Sequence, residues 1–321
     1  MDATLTAWLA LITAMVLLLL LDLFVLHRGA HDVSVRNAAW STAGFIAMGV
    51  AFGIVLGLFE GSRVAGQFFA GYVLELSLSL DNVFVWALIF SAFSIPAAYQ
   101  HRVLFYGIFG ALVLRGAFVA LGAELLRRFE WVVYVFGALL LYSGVSMLRG
   151  QEEIDPERDP IVRLVRSRLP TTKHLVGAHL FVRAREVPES DRPERRPLGG
   201  VWYVTPMLAV LTVIELSDII FAVDSIPAIF GVTREPFIVF SATALALIGL
   251  RSMYFLLTGA RARFVYLDVG LAVVLVFIGA KFMLTEVLPI SVEVSLAVIL
   301  VVISIAIAAS LLRDRGVGSR T

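Results

Sequence analysis

The stretches LELSLSLDNVFVW (residues 74–86) and VIELSDIIFAVDSIPAIF (residues 213–230) carry carboxylates inside runs of apolar residues. With its flanking residues, each run is long enough to cross the hydrocarbon core of a bilayer as a helix. A charged group near the bilayer centre costs about 2.5–3.5 kcal/mol on insertion scales, so such groups are retained chiefly for function. The two stretches therefore predict membrane-spanning helices that carry a functional site.

The composition extends this prediction to the whole chain. Of 321 residues, 60% are hydrophobic and 16% are charged, with a mean hydropathy of +0.91. That leaves too few charges to cover the surface of a soluble domain. A net charge of +1 gives no indication of nucleic-acid binding. The absence of cysteine excludes disulfides, thiolate metal sites and cysteine nucleophiles from this chain.

Nine apolar stretches of spanning length predict an all-α polytopic membrane protein. They are residues 5–26, 38–59, 64–93, 103–126, 131–148, 201–230, 237–257, 264–284 and 290–312. The first is predicted to be an uncleaved helix, because no basic segment precedes it and no small-residue cleavage site follows it. Residues 149–200 form a polar segment with six prolines, predicted to be a cytoplasmic linker. Within it, residues 160–169 fit an interfacial helix and a flexible basic linker equally well.

The intervals between charged residues predict an internal repeat. Asp81 precedes Arg115 by 34 residues, and Asp218 precedes Arg251 by 33. Each copy holds three helices, so the second copy crosses the membrane in the opposite sense, which makes an inverted 3+3 repeat of the kind found in secondary transporters. The predicted organisation is two N-terminal helices (1–60), the first repeat (61–148), the linker (149–200), the second repeat (201–285), and the last helix with its tail (286–321).

A second register remains open for the helices that carry the acids. Glu75 to Asp81 and Asp218 to Asp224 share a spacing of six residues, which pairs the two helices differently from the longer match. On an unbroken helix, Asp224 points roughly 240° away from Asp218. We expect Pro227 to loosen the helix there and to turn Asp224 inward, as the broken helices of transporters do.

The candidate metal ligands all present hard oxygen atoms. They are Glu75, Asp81, Asn82, Glu215, Asp218, Asp224 and Ser225. Carboxylate, amide and hydroxyl oxygens favour Mn²⁺, Ca²⁺ or Mg²⁺ over zinc or copper. Five carboxylates exceed the charge of one divalent ion, so coupling to protons fits the set. No nucleophile–base pair or metalloprotease motif is present, so we expect neither an enzyme nor a resident cofactor.

A structural alternative accounts for the same acids. The basic residues Arg115, Arg251 and Lys281 lie inside predicted helices and would neutralise carboxylates as scaffold ion pairs. Three cations do not balance all the acids, so this alternative leaves a smaller site in place. Asp22, near the end of the first helix, is predicted to be an interfacial charge rather than a gate.

The distribution of basic residues predicts the orientation in the membrane. Nineteen Lys and Arg residues lie in connections on one side and four on the other. Because cytoplasmic segments retain positive charge, this predicts an N-terminus outside and a cytoplasmic C-terminus.

Four segments of the chain resemble the TerC family of membrane proteins, which includes Alx-like members. They are LSLDNVFVWALIF (78–90), SDIIFAVDSIPAIFGVTREPFIVFS (217–241), LIGLRSMYFLL (247–257) and RFVYLDVGLAVVLVFIGAKFML (263–284). The resemblance implies a protein of the bacterial inner membrane, similar to the lysine-exporter-like superfamily. The family is named for tellurium resistance and linked to manganese export. Its acidic pattern falls on the seven candidate ligands above, while Thr243 and Leu216–Ser217 depart from it.

Together these observations predict a transporter that exports Mn²⁺, with Ca²⁺ as the alternative ion. Its partners would be the metal cation and the lipid bilayer, without nucleic acid. The other interpretation is a membrane scaffold for tellurite or envelope-stress resistance, in which residues 149–200 contact cytoplasmic proteins.

Overall fold

The structure is a computed structural model, and it describes residues 4–21, 35–93, 95–149, 169–172, 175, 179–193, 201–257, 266–284, 287 and 290–318. The described residues form long helices with one small β-ribbon. The helices are α1 (Leu5–Leu21), α2 (Val35–Glu60), α3 (Ser62–Ala92), α4 (Ala97–Arg128), α5 (Val132–Leu148), α6 (Pro206–Phe230), α7 (Pro236–Leu257), α8 (Leu267–Met283) and α9 (Val292–Gly318). The strands are β1 (Phe181–Arg183) and β2 (Trp202–Val204). The predicted all-α class is confirmed.

The helices have the length and composition of a multi-pass membrane protein. Within the described residues, α2, α4, α6 and α7 are long and apolar enough to cross a bilayer. Shorter apolar segments of 10–17 residues lie in α1, α5, α8 and α9. The number of nine membrane spans stays a prediction. So does the division of the chain into two N-terminal helices, the first repeat, the linker, the second repeat and the last helix with its tail.

Two helix starts differ from the prediction. α6 begins at Pro206 rather than at residue 201, because residues 202–204 pair antiparallel with residues 181–183 as a ribbon. Pro206 suits the first turn of a helix, where a backbone N–H has no partner to lose. α4 begins at Ala97, ahead of its apolar run at residue 103. Of the predicted interfacial helix at 160–169, all but Leu169 lies outside the described residues.

The packing joins helices from the two predicted repeats. α3 packs against α7, α4 packs against α6, and α5 packs against α8. α3 also contacts α6, the other helix that carries candidate ligands. This arrangement places Glu75 of α3 and Asp218 of α6 in the interior of the bundle.

Glycines allow α5 and α8 to approach closely. A Cβ at Gly144 would lie 2.9 Å from the carbonyl oxygen of Ala272, and a Cβ at Gly279 would lie 2.9 Å from that of Gly137. Gly144 and Gly279 are separated by the same interval as Gly137 and Ala272, 135 residues. The contacts are therefore reciprocal, as in a two-fold interface. The inverted repeat itself stays a prediction.

Candidate functional site

Helices α3, α4 and α6 bring two candidate ligands together around one arginine. Glu75 of α3 and Asp218 of α6 are 0% and 1% exposed, and Arg115 of α4, which lies between them, is 1% exposed. Each of the three side chains comes from the interior of a long helix, so the backbone around them is fully hydrogen-bonded. The site is thus built from rigid elements rather than from loops.

The guanidinium group of Arg115 contacts both carboxylates. Its Nε and Nη2 donate to Oδ2 and Oδ1 of Asp218 at 3.2 and 2.9 Å. Its Nη1 donates to Oε1 of Glu75, and to Oγ of Ser225 at 3.3 Å. Ser79 also donates to Oε1 of Glu75, at 3.0 Å. Three of the predicted ligands, Glu75, Asp218 and Ser225, therefore meet at one cation.

The predicted neutralisation by Arg115 is present, and it is incomplete. One guanidinium faces two carboxylates, and Oε2 of Glu75 is buried without a hydrogen-bond partner among the described residues. In a low-dielectric interior, excess negative charge attracts a cation strongly. The cluster therefore has the negative charge that a cation-binding position needs, and the guanidinium group of Arg115 already neutralises part of it.

Glu215 lies one helical turn before Asp218 on α6 and is half-buried. Its carboxylate faces Gly110 of α4 so closely that a Cβ at Gly110 would overlap it. Its Oε2 accepts no hydrogen bond from any residue that the structure describes. Sequence reasoning missed Gly110, because a glycine in a helix gives no sign of what faces it.

Asp224 faces a different helix. Ser143 of α5 donates to its Oδ1 at 2.7 Å. α6 runs without a break through Asp224 and Pro227, so the expected loosening that would turn Asp224 inward is wrong. Pro227 lies in the last turn of the helix, where its missing N–H removes one bond near the end and leaves the earlier turns intact. The sequence shows Ser143 as a hydroxyl residue within an apolar helix, but no spacing in the sequence linked it to Asp224.

Asn82 and Asp81 belong to the same helix as Glu75. Asn82 is buried, and its Oδ1 has no hydrogen-bond partner within the described part of the chain. The side chain of Asp81 lies outside the described residues, as does Asp22. The described residues contain no group of three or more His, Asp or Glu side chains placed to hold a metal ion. Of the seven predicted ligands, Glu75, Asp218 and Ser225 therefore meet at Arg115. Glu215 faces Gly110, Asp224 accepts from Ser143, and Asn82 is buried on α3.

The other two embedded cations lie elsewhere. Arg251 is buried in α7, and Lys281 of α8 donates to Oγ of Ser295 on α9 at 2.8 Å. Glu75 and Asp218 meet at Arg115 where α3 and α6 are in contact. Which of the two repeat registers applies stays a prediction.

Comparison with known proteins gives a consistent result. The family model described as "Integral membrane protein TerC family" matches residues 60–317. The chain is 43% identical over 96% of its length to an uncharacterized membrane protein of Myxococcus xanthus, and covers 92% of that protein. It is 43% identical over 91% of its length to Alx of Escherichia coli (strain K12), whose name proposes a membrane-bound redox modulator, and covers 90% of it.

A plant relative extends the similarity to chloroplasts. The chain is 43% identical over 82% of its length to the thylakoid membrane protein TERC of Arabidopsis thaliana, and covers 65% of that protein. No solved structure matches the chain.

Proposed function

The chain belongs to the TerC family of integral membrane proteins, and from that premise we propose that it is a transporter, not an enzyme, that carries a divalent metal cation across the bilayer. The proposed substrate is Mn²⁺, with Ca²⁺ as the alternative, and the proposed direction is export from the cell. The protein would lie in the bacterial inner membrane with its N-terminus outside and its C-terminus in the cytoplasm.

One observation carries this proposal. Glu75 and Asp218 come from helices in the two predicted halves, are almost fully buried, and converge on a positive group. Transporters with inverted repeats bind their substrates at such an interface, where rocking of one half exposes the site to either side. Carboxylates buried in a membrane protein are expensive to maintain, so their convergence favours a substrate site over a purely structural pair.

The chemistry of the donors supports a hard cation. The candidate ligands here offer oxygen atoms, and three of them have an oxygen that accepts no hydrogen bond from the described residues. They are Glu75, Asp218, Ser225, Asn82 and Glu215, and the three are Glu75, Asn82 and Glu215. Such ligands suit Mn²⁺ and Ca²⁺ and are poor ligands for copper. Within the described part of α3, α4 and α6, the carboxylates of the cluster outnumber the arginine that contacts them, so a cation of higher charge is electrostatically favoured there.

A thiol-based redox role does not fit this chain. One relative is named for redox modulation, but this sequence contains no cysteine, so no thiol–disulfide exchange by its own residues is available. The metal-transport proposal depends on carboxylates, which the chain does supply.

The test measures cellular manganese during a Mn²⁺ challenge and cellular calcium during a Ca²⁺ challenge. Cells that lack the protein are compared with cells that express the wild type, Asp81→Asn or Asp218→Asn at equal membrane levels. Glu124→Gln is the matched control, because Glu124 is a partly exposed carboxylate at the end of α4 paired only with Arg127 and Arg128 among the described residues. We expect the wild type and the control to lower cellular manganese, and the other two variants to fail.

Two other outcomes would contradict the proposal. Equal activity of Asp81→Asn and Asp218→Asn would remove these carboxylates from the transport path. A wild type without effect on manganese or calcium would favour the scaffold interpretation, in which residues 149–200 contact cytoplasmic proteins and carboxylate variants remain functional.

A further inference from the structure

Arg115 occupies the place that a transported cation would need. Its guanidinium uses Nε, Nη1 and Nη2 to reach Glu75, Asp218 and Ser225, and the side chain is buried on all sides. A metal ion bound between the carboxylates of Glu75 and Asp218 would need the space that the guanidinium now fills, and two cations there would repel each other in the low-dielectric interior. The guanidinium and the metal ion therefore compete for this pair of carboxylates.

The structure also offers a second partner for the guanidinium. Glu215 lies one turn from Asp218 on α6, and its carboxylate faces Gly110, five residues before Arg115 on α4. Five residues of helix span about 7.5 Å, which is within the reach of an arginine side chain that changes rotamer. Oε2 of Glu215 is buried and accepts no hydrogen bond from the described residues.

We propose that Arg115 is a tethered counter-cation with two positions, holding Glu75 and Asp218 in the empty carrier and moving to Glu215 when the metal ion binds. This inference rests on the proposed function and adds how the site is regulated. Arg115 is a positioning residue here, because it acts on the ion only by competing for the ligands.

The physical reason is the cost of the empty site. Two carboxylates facing each other in a membrane interior are unstable without a positive charge between them. A carrier that releases its ion and returns empty would have to bear that cost. Arg115 removes it, and it also ties α3, α4 and α6 together while no ion is bound.

This arrangement has a measurable effect on affinity. When only part of the protein is in the competent state, the apparent affinity falls by that fraction. If the state with Arg115 released is about a tenth or less of the empty protein, removal of the guanidinium tightens metal binding by about tenfold or more. Loss of Glu215, its second partner, weakens metal binding.

The experiment uses the full chain in lipid nanodiscs, with Mn²⁺ as the probe and free Mn²⁺ measured by electron paramagnetic resonance. The proteins are the wild type, Arg115→Gln, Arg115→Lys, Glu215→Gln and Asp218→Asn, each checked for a single folded peak by size exclusion. We expect Arg115→Gln to bind Mn²⁺ about tenfold more tightly than the wild type or better, with Arg115→Lys in between. Glu215→Gln and Asp218→Asn should both bind more weakly.

A second measurement compares the wild type with Arg115→Lys and covers the case in which Arg115→Gln does not fold. Infrared difference spectra of protein with isotope-labelled arginine should show a shift of the guanidinium band on Mn²⁺ addition, and Arg115→Lys should lose that shift. Wild-type Mn²⁺ binding without a guanidinium shift, or with unchanged affinity in folded Arg115→Gln, would overturn the counter-cation while leaving the proposed function intact. Failure of every protein, Arg115→Gln included, to bind Mn²⁺ would overturn Mn²⁺ as the proposed substrate and this inference with it.

Discussion

Arg115 on α4 forms a two-point ion pair with Asp218 on α6, in which Nε and Nη2 donate to the two carboxylate oxygens at 3.2 and 2.9 Å. Two matched donors on both oxygens make such a pair more directional than a single contact. The third nitrogen of the same group donates to Glu75, so three helices share one buried cation. Replacing Arg115, Glu75 and Asp218 singly and in combination separates their contribution to stability from their contribution to ion binding.

Replacing Arg115 by methionine should lower the free energy of unfolding by about 3–5 kcal/mol, because two buried carboxylates lose their counter-charge. Thermal unfolding of the purified protein in one detergent measures this loss. The combined variant Glu75→Gln/Arg115→Met/Asp218→Asn should regain most of it, since no charge is then left uncompensated.

Arg127→Met is the control for this prediction, because Arg127 forms an exposed pair with Glu124 at the end of α4. We expect no measurable change in its unfolding temperature. A combined variant as unstable as Arg115→Met alone would show that the loss came from packing and not from charge.

Gly110→Ala should reduce Mn²⁺ transport while leaving the amount of folded protein unchanged. Its Cβ would overlap the carboxylate of Glu215, which would have to move. The stability changes by less than about 1 kcal/mol, because the better helix propensity of alanine offsets part of the crowding. Efflux of Mn²⁺ from loaded vesicles measures the effect.

Gly66→Ala is the matched control, since the Cβ it would add on α3 has no atom of the described residues within 4 Å apart from its own stretch of helix. It should transport like the wild type. Normal transport by Gly110→Ala would show that the position of Glu215 does not matter to the ion.

Gly144→Ala should destabilise the α5–α8 contact by about 1–3 kcal/mol, the usual cost of overpacking a close interface. The added Cβ would meet backbone atoms of Ala272 and Val276 at 2.9 and 3.0 Å, and backbone does not yield as a side chain does. Gly279→Ala should have a similar effect, because it meets the backbone of Gly137. Unfolding temperature in detergent is the measurement.

Gly44→Ala on α2 supplies the comparison, because its Cβ would have no neighbour within 4 Å in the described part of the chain beyond its own stretch of helix. It should be neutral or stabilising by up to about 1 kcal/mol through helix propensity. If all three alanine variants behaved alike, the close approach of α5 and α8 would have no energetic role.

The sequence predicted the helices well because apolar runs of spanning length leave little choice of structure. The ribbon at Phe181–Arg183 and Trp202–Val204 could not be predicted, because strands of three residues in a mixed-charge segment have no periodic pattern. The same segment moved the start of α6 to Pro206.

The sequence pointed to residues of the candidate site, but it did not predict which of their side chains contact one another. Intramembrane charge pointed to Glu75, Asp218 and Arg115, because such groups are rare and costly. One guanidinium reaches both acids because of the way α4 crosses α3 and α6. The spacing of residues along the sequence gives no information about that crossing. Asp224 shows the limit most clearly, since helical periodicity alone placed it away from Asp218, and the expected effect of Pro227 was wrong.

Ser143→Ala tests whether Asp224 belongs to the ion path. Ser143 donates to Asp224 at 2.7 Å, and loss of a hydrogen bond to a carboxylate costs about 1.5–3 kcal/mol. We therefore expect a lower unfolding temperature for Ser143→Ala. Asp224→Asn keeps an acceptor for Ser143, so it should be the more stable of the two, and its Mn²⁺ transport should fall because a charge is lost.

Ser77→Ala is the control, because the hydroxyl of Ser77 donates to the backbone carbonyl oxygen of Val73 in its own helix rather than to a carboxylate. It should match the wild type in stability and in transport. Full Mn²⁺ transport by Asp224→Asn, together with the stability loss of Ser143→Ala, would assign Asp224 to the α5–α6 contact alone. In that case the ion path would involve Glu75 and Asp218 without it.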